Sequence, residues 1–335
     1  MLYVEDSLNY KLLYIAIKII GGVRTLRKRI IVLALLVVLA FSGVSYAATN
    51  YSIVSSATGG LWYAMVSAAA SWWTDKVPGI TVNVEGTGGS VENARRFASG
   101  EADFGMLHAT HLVDMINGTG VMKGRPSDAA MVMCQAYDSP QYFITLKSKN
   151  IKKMEDLRGK KVVFGAAGSG ASAQSQTALK VLGIEVNGSE METADAAREL
   201  QEGRIDALGQ TGAFAAGLAE LAASVPIYVI PYTKAEIKKM SDYSPYYFEG
   251  KLPANVYAGQ TTDVPCFSFP VLLCANKKVP ADVVYKIMKA TFSKEGLNFL
   301  KTSHKQWDPS NNPIVVKQMK ATYHPGAVKF WAEQK

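Results

Sequence analysis

The strongest constraint on this chain is a unit that recurs along it: a short strand rich in β-branched residues, a loop of glycine and hydroxyl residues, then a helix. Tyr51 to Val54 leads through Thr58-Gly59-Gly60 into a helical stretch from Leu61 to Thr74. Ile80 to Glu85 leads through Thr87-Gly88-Gly89-Ser90 into Val91 to Ser99, and Asp103 to Leu107 into Ala109 to Ile116. Further on, Val162 to Phe164 passes through the loop 165–172 into a helix that ends near Leu182, and a helix over 194–202 precedes the strand Ile205 to Leu208. Strands that alternate with helices in this way build an α/β architecture. Two further strands, Met131 to Gln135 and Tyr142 to Leu146, are expected before a polar, basic crossing at 149–161. A strong strand over Phe269 to Cys274 and a helix over 281–292 follow, so the chain returns to its first half.

The N-terminus belongs to a different category. Arg24, Arg27, Lys28 and Arg29 precede an apolar run from Ile30 to Phe41 and then Ser45-Tyr46-Ala47, the order of a secretory signal peptide. The run is shorter than the roughly 20 residues that a membrane span needs, so cleavage near Ala47 and a periplasmic location are expected. Residues 1–22 fit no export signal, and translation is expected to start near Val23 or Leu26. Residues 1–47 carry six of the 36 basic and two of the 28 acidic residues, which leaves a remainder with 30 against 26 and no basic cluster. Nucleic acid is therefore not an expected partner. Of the three cysteines, Cys266 and Cys274 are too far apart on one extended strand to pair. Buried thiols, or one bridge to Cys134, remain.

Three loops, Thr58-Gly59-Gly60, Thr87 to Ser90 and Gly168 to Ser172, each stand at a strand end before a helix start. Glycine lets backbone approach a ligand closely, and the free N–H groups of a helix start favour a carboxylate or a carbonyl oxygen. In open α/β sheets, ligands sit at such strand ends. The spacing Gly165-x-x-Gly168-x-Gly170 is wrong for a dinucleotide loop and lacks the Lys-Ser/Thr of a P-loop, so no nucleotide cofactor is expected. There is no Gly-x-Ser-x-Gly and no His-Glu-x-x-His, and the four histidines have no catalytic company, so the chain does not read as an enzyme. His108 and His111 stand at the i, i+3 spacing that brings side chains together, but no third ligand is near and no metal is expected. His108 is either a helix cap or a ligand contact that titrates near 6.5. His111 reads as a surface residue, and Phe214 as either a ligand-stacking ring or core.

The runs Gly59-Gly60-Leu61-Trp62-Tyr63, Thr87 to Asn93 and Ser99 to Gly105 resemble the TAXI family, the extracytoplasmic receptors of one class of TRAP transporters. So do Asp156 to Val162 with the 165–170 loop, Gly203 to Ala207, and Leu252-Pro253-Ala254 with Tyr257, Gly259-Gln260 and Asp263-Val264-Pro265. The resemblance implies a periplasmic-binding-protein-like α/β fold of two lobes, each a mixed sheet flanked by helices, with the ligand cleft between them. Lobe 1 is expected over 48–140 plus 266–335 and lobe 2 over 141–265. It implies a small-molecule solute of the glutamate, glutamine or 2-oxoglutarate class, TRAP membrane subunits as partners, and a monomer. By position, Thr58, Gly60, Tyr63, Gly89, Ser90 and Asn93 are expected on one wall of the cleft. Ser169, Gly170 and Ser172, with Tyr257, are expected on the other. The sequence departs from the family at His108, where Gln is common, and at Ala171, where Thr is common. A periplasmic sensor that reports to a signalling partner would share the fold.

Overall fold

Two long antiparallel strands organise the molecule, as seen in a computed structural model that describes residues 48–334. The signal-peptide reading concerns residues outside that range. The strands are β4 (Ala130–Leu146) and β10 (Val264–Asn276), and they pair from Phe267↔Gln141 to Asn276↔Ala130. On one side of the crossing they continue the parallel ladder β2 (Ile80–Glu85), β1 (Thr49–Val54), β3 (Phe104–His108), with β3 antiparallel to β10. On the other side, β4 is flanked by β7 (Ala207–Thr211) and β8 (Ile227–Ile230). Beyond β7 come β5 (Lys161–Val163) and β6 (Asn187–Ser189), while β9 (Phe248–Leu252) covers the free edge of β10. This is a mixed α/β fold in which, among the described residues, one ten-stranded sheet flanked by helices runs through both lobes by way of β4 and β10.

β4 is one strand of 17 residues where the sequence suggests two, and β10 begins five residues before the expected start. The misleading residues are Asp138-Ser139-Pro140 and Pro265 with Pro270, which resemble turn and breaker signals. Pro140 stands opposite Ser268 and Pro270 opposite Asp138, where the two strands pass from one lobe to the other. Register shifts follow at Val271/Leu272 and Leu273/Cys274.

The helices follow the apolar period. Helix α1 (Leu61–Lys76) buries Trp62, Met65, Val66, Ala69, Ala70 and Trp73, the i, i+3, i+4, i+7 spacing of one face. Trp73 donates its indole N–H to Thr291 Oγ1 at 2.8 Å and Trp72 to the carbonyl of Ala290 at 2.9 Å. These bonds tie α1 to α8 (Ala281–Thr291), so the C-terminal segment belongs with the first lobe's core. Helices α2 (Ser90–Ser99) and α3 (Ala109–Asn117) end at Gly100 and Gly118 in the left-handed conformation. In the second lobe lie α4 (Gly170–Leu182), α5 (Thr193–Gln201), α6 (Ala216–Ser224) and α7 (Lys234–Tyr243). The chain closes with α9 (Lys294–Ser303), α10 (Pro313–Gln318) and α11 (Pro325–Ala332). Cys134, Cys266 and Cys274 are all buried free thiols, so the alternative of a bridge to Cys134 falls away.

Candidate functional site

A cavity of about 120 Å³ lies between the lobes, at the carboxyl ends of the parallel strands. From the first lobe it is lined by Ser56, Gly60, Leu61, Trp62, Gly88, Gly89, Ser90 and His108. From the second come Ala166, Ser169, Gly170, Ala171, Glu192, Thr193, Ala194, Gln210, Thr211 and Ala215 to Gly217. First-turn residues of five helices, α1, α2, α4, α5 and α6, are on that wall. The leading N–H groups of a helix have no intrahelical partner, and the aligned dipoles place partial positive charge there. Five such ends around one space favour negative charge there, through the N–H groups that are not already bonded as those of Tyr63, Glu92 and Ser172 are to Ser56, Gly168 and Ser169.

The loops bring the lobes into direct contact. Gly89 has φ +119°, a conformation that a side chain resists, and its Cα faces Ser169 and Gly170. A methyl group on Gly88 would stand 2.7 Å from the carbonyl oxygen of Ala167. Across the same seam, the N–H of Glu92 donates to the carbonyl of Gly168 at 3.3 Å, and the amide of Gln174 donates to Thr110 Oγ1 at 2.7 Å. Ser169 caps α4 by accepting from the N–H of Ser172 at 3.0 Å.

His108 sits at the end of β3 with 3% of its surface exposed. Its ring is walled by Trp62, Phe269 and His111 at centroid distances of 5.2, 4.5 and 5.3 Å. Its fourth neighbour is Gly170, where any Cβ would overlap the imidazole. Nδ1 of His108 is buried without a hydrogen-bond partner. Burial, and secondarily His111, hold the imidazole's pKa well below 6.5, so the ring is neutral at physiological pH. The expected titration near 6.5 is corrected accordingly. His111 is corrected too: it is buried, with its pKa lowered to about 4 by desolvation. The hydroxyl oxygen of Ser90 accepts the N–H of His108 at 2.9 Å and lies 2.8 Å from Nδ1 of His111.

Of the residues singled out in the sequence, Gly60, Gly89, Ser90, His108, Ser169 and Gly170 meet at this cavity. The others do not line it. Thr58 is exposed and Tyr63 half-buried. Asn93 is fully buried, but its amide donates to the carbonyls of Ser55 and Met106 and accepts from Thr87, so it holds the loops and offers a ligand nothing. Ser172 donates to Glu190 at 2.5 Å. Phe214 adopts φ +63° and faces His304 and Lys305. Tyr257 is buried in the second lobe's core with its hydroxyl 2.5 Å from that of Tyr142. Sequence reasoning missed Trp62, Glu192, Thr193, Gln210 and Thr211. The turn before α5 has no glycine, so the signal that marked the other loops is absent there. Among the described residues, no three His, Cys, Asp or Glu side chains gather as a metal site.

The sequence profile of the NMT1-like family matches residues 53–334. The chain belongs to the NMT1-like family. Solved structures similar to this NMT1-like protein share its fold at low identity. A structure described as a periplasmic transporter aligns with a TM-score of 0.55 at 12% identity, over 87% of this chain and 98% of its own. A Xanthomonas citri protein bound to ATP aligns with a TM-score of 0.52 at 10% identity, over 86% and 100%. A putative L-cystine ABC transporter protein from Listeria monocytogenes aligns with a TM-score of 0.50 at 15% identity, over 78% and 96%. The likeness to these structures is one of fold, a mixed α/β architecture with its sheet flanked by helices.

Proposed function

We propose that this NMT1-like protein is the extracytoplasmic solute receptor of a TRAP-type transporter of the TAXI kind, and not an enzyme. It captures a small carboxylate or amino-acid-like solute, in the class of glutamate, glutamine and 2-oxoglutarate, and presents it to the transporter's membrane subunits. Export through a signal peptide cut near Ala47 places it in the periplasm, where it works as a monomer. Lobe 1, residues 48–140 plus 266–335, closes on lobe 2, residues 141–265, by bending where β4 and β10 cross. The observation that carries this reading is the meeting of five helix N-termini, drawn from both lobes, on one cavity. A carboxylate placed there satisfies N–H groups from both sides and so favours the closed arrangement over the open one.

The test is thermal unfolding of the purified protein against a panel of carboxylates and amino acids, with solute turnover followed by mass spectrometry. A solute at 100 times its Kd is expected to add about 2.7 kcal/mol of stability. Ser169→Trp, which fills the cavity from the α4 cap, is expected to abolish that gain. A panel without any stabilising member, or chemical conversion of the solute, would defeat the proposal.

A further inference from the structure

The cavity's charge inventory narrows the solute. Among the described residues, no lysine or arginine lines the cavity, and Glu192 is the one lining residue with a formal charge. Two more carboxylates stand close to that wall. Glu92 accepts the N–H of Gly88 at 2.7 Å, and Glu190 accepts the hydroxyl of Ser172, beside the lining residue Ala171. Arg96 is the cation paired with this ring, and it is shared between Glu92 at 3.0 Å and Glu85 at 2.8 Å. Glu190 and Glu192 have no ion-pair partner among the described residues. The unpartnered Nδ1 of His108 adds a neutral polar group, not a positive one.

Building on the receptor function proposed above, we infer that the solute is a zwitterion of zero net charge, an α-amino acid with an uncharged side chain, and not a dicarboxylate. Its carboxylate meets the helix N-termini, whose partial charges suit one anion. Its ammonium group meets the acidic rim at Glu192. A second carboxylate finds no cation to neutralise it and faces that rim as a like charge, which disfavours it. A space of about 120 Å³ also suits a small molecule, since a void of about 150 Å³ accepts benzene.

Two matched comparisons by titration calorimetry on the purified full chain separate the charge states. L-Alanine and propionate differ by the ammonium group, and L-glutamine and 2-oxoglutarate differ by both the ammonium group and the second carboxylate. An amino acid is expected to bind at least about tenfold tighter than its partner. Glu192→Gln, and separately Glu190→Gln, should narrow that gap while the unfolding temperature without solute stays put, because both side chains are exposed. Tighter binding of propionate or 2-oxoglutarate overturns the zwitterion and leaves the receptor standing. An unchanged gap in both variants overturns the role of the acidic rim. No heat from any of the four overturns the inference and the receptor proposal together.

Discussion

Gly170→Ala tests the proposed lobe closure at a single contact, that of Gly170 with the His108 ring. A Cβ at 170 would stand 2.5 Å from Nδ1 and 2.9 Å from Nε2 of His108, and closer still to Cε1. The ring has nowhere to retreat, because Trp62, Phe269 and His111 wall its other sides. Overpacking of this kind costs about 1–3 kcal/mol. The closed, solute-bound state bears that cost, so Kd should rise by a factor of roughly 5 to 150. In the open state the methyl group meets no ring, and alanine in a helix is favoured over glycine by up to about 1 kcal/mol. The two effects have opposite signs. Without solute, the unfolding temperature should hold or rise; with solute, the stabilisation should shrink. Calorimetry supplies Kd and thermal unfolding the rest. Gly170→Ala combined with His108→Ala should recover affinity relative to Gly170→Ala alone. An unchanged Kd, or a ligand-free unfolding temperature that falls while Kd stays level, would refute the reasoning.

Asn93→Ala should behave as a structural lesion. It strips bonds of 2.8 Å to Ser55 O, 3.1 Å to Met106 O and 2.7 Å to Thr87 Oγ1, and buried groups left unpaired cost about 1–3 kcal/mol each. A loss of about 2–4 kcal/mol in urea unfolding is expected; intact stability with lost affinity would instead place Asn93 on the ligand. Acid should weaken the fold through the two buried histidines. Their folded pKa values lie below the unfolded 6.5, so the unfolded chain binds protons that the native one refuses. Stability is full above pH 6.5 and falls as pH drops towards 4, by about 3 kcal/mol for His111 alone. His111→Gln should flatten that slope. Solute affinity should stay level between about pH 5.5 and 7.5, since neither ring titrates there; a step near 6.5 in the calorimetric Kd would contradict the buried, neutral His108.

Local patterns carried much of this fold. The glycine loops, the apolar face of α1 and the cap at Ser169 are each written within a few residues, and so are five of the six cavity residues, which sit on those loops, while His108 ends β3. Long-range packing was not legible in the same way. Pro140 and Pro270 look like breaks because their tolerance depends on the partner strand across the ladder. Asn93 lies in the expected place, three residues past Ser90, yet the carbonyls that consume its amide come from Ser55 and Met106. His111 reads as a surface residue until the ring of His108 and the hydroxyl of Ser90 are set beside it. Glu192, the charged residue of the cavity lining, follows a strand of only three residues in a turn without glycine.

The crossing strands also set an order of events for the nascent polypeptide. β3 has its partner in β10, residues 271–275, yet all of β5 to β9 is made in between. Until residues 264–276 exist, β3 has a bare edge and the first lobe lacks the strand that joins β3 to β4, an invitation to misassociation that must be endured or chaperoned. A truncation before residue 264 should therefore spoil both lobes at once, because each loses the same strand.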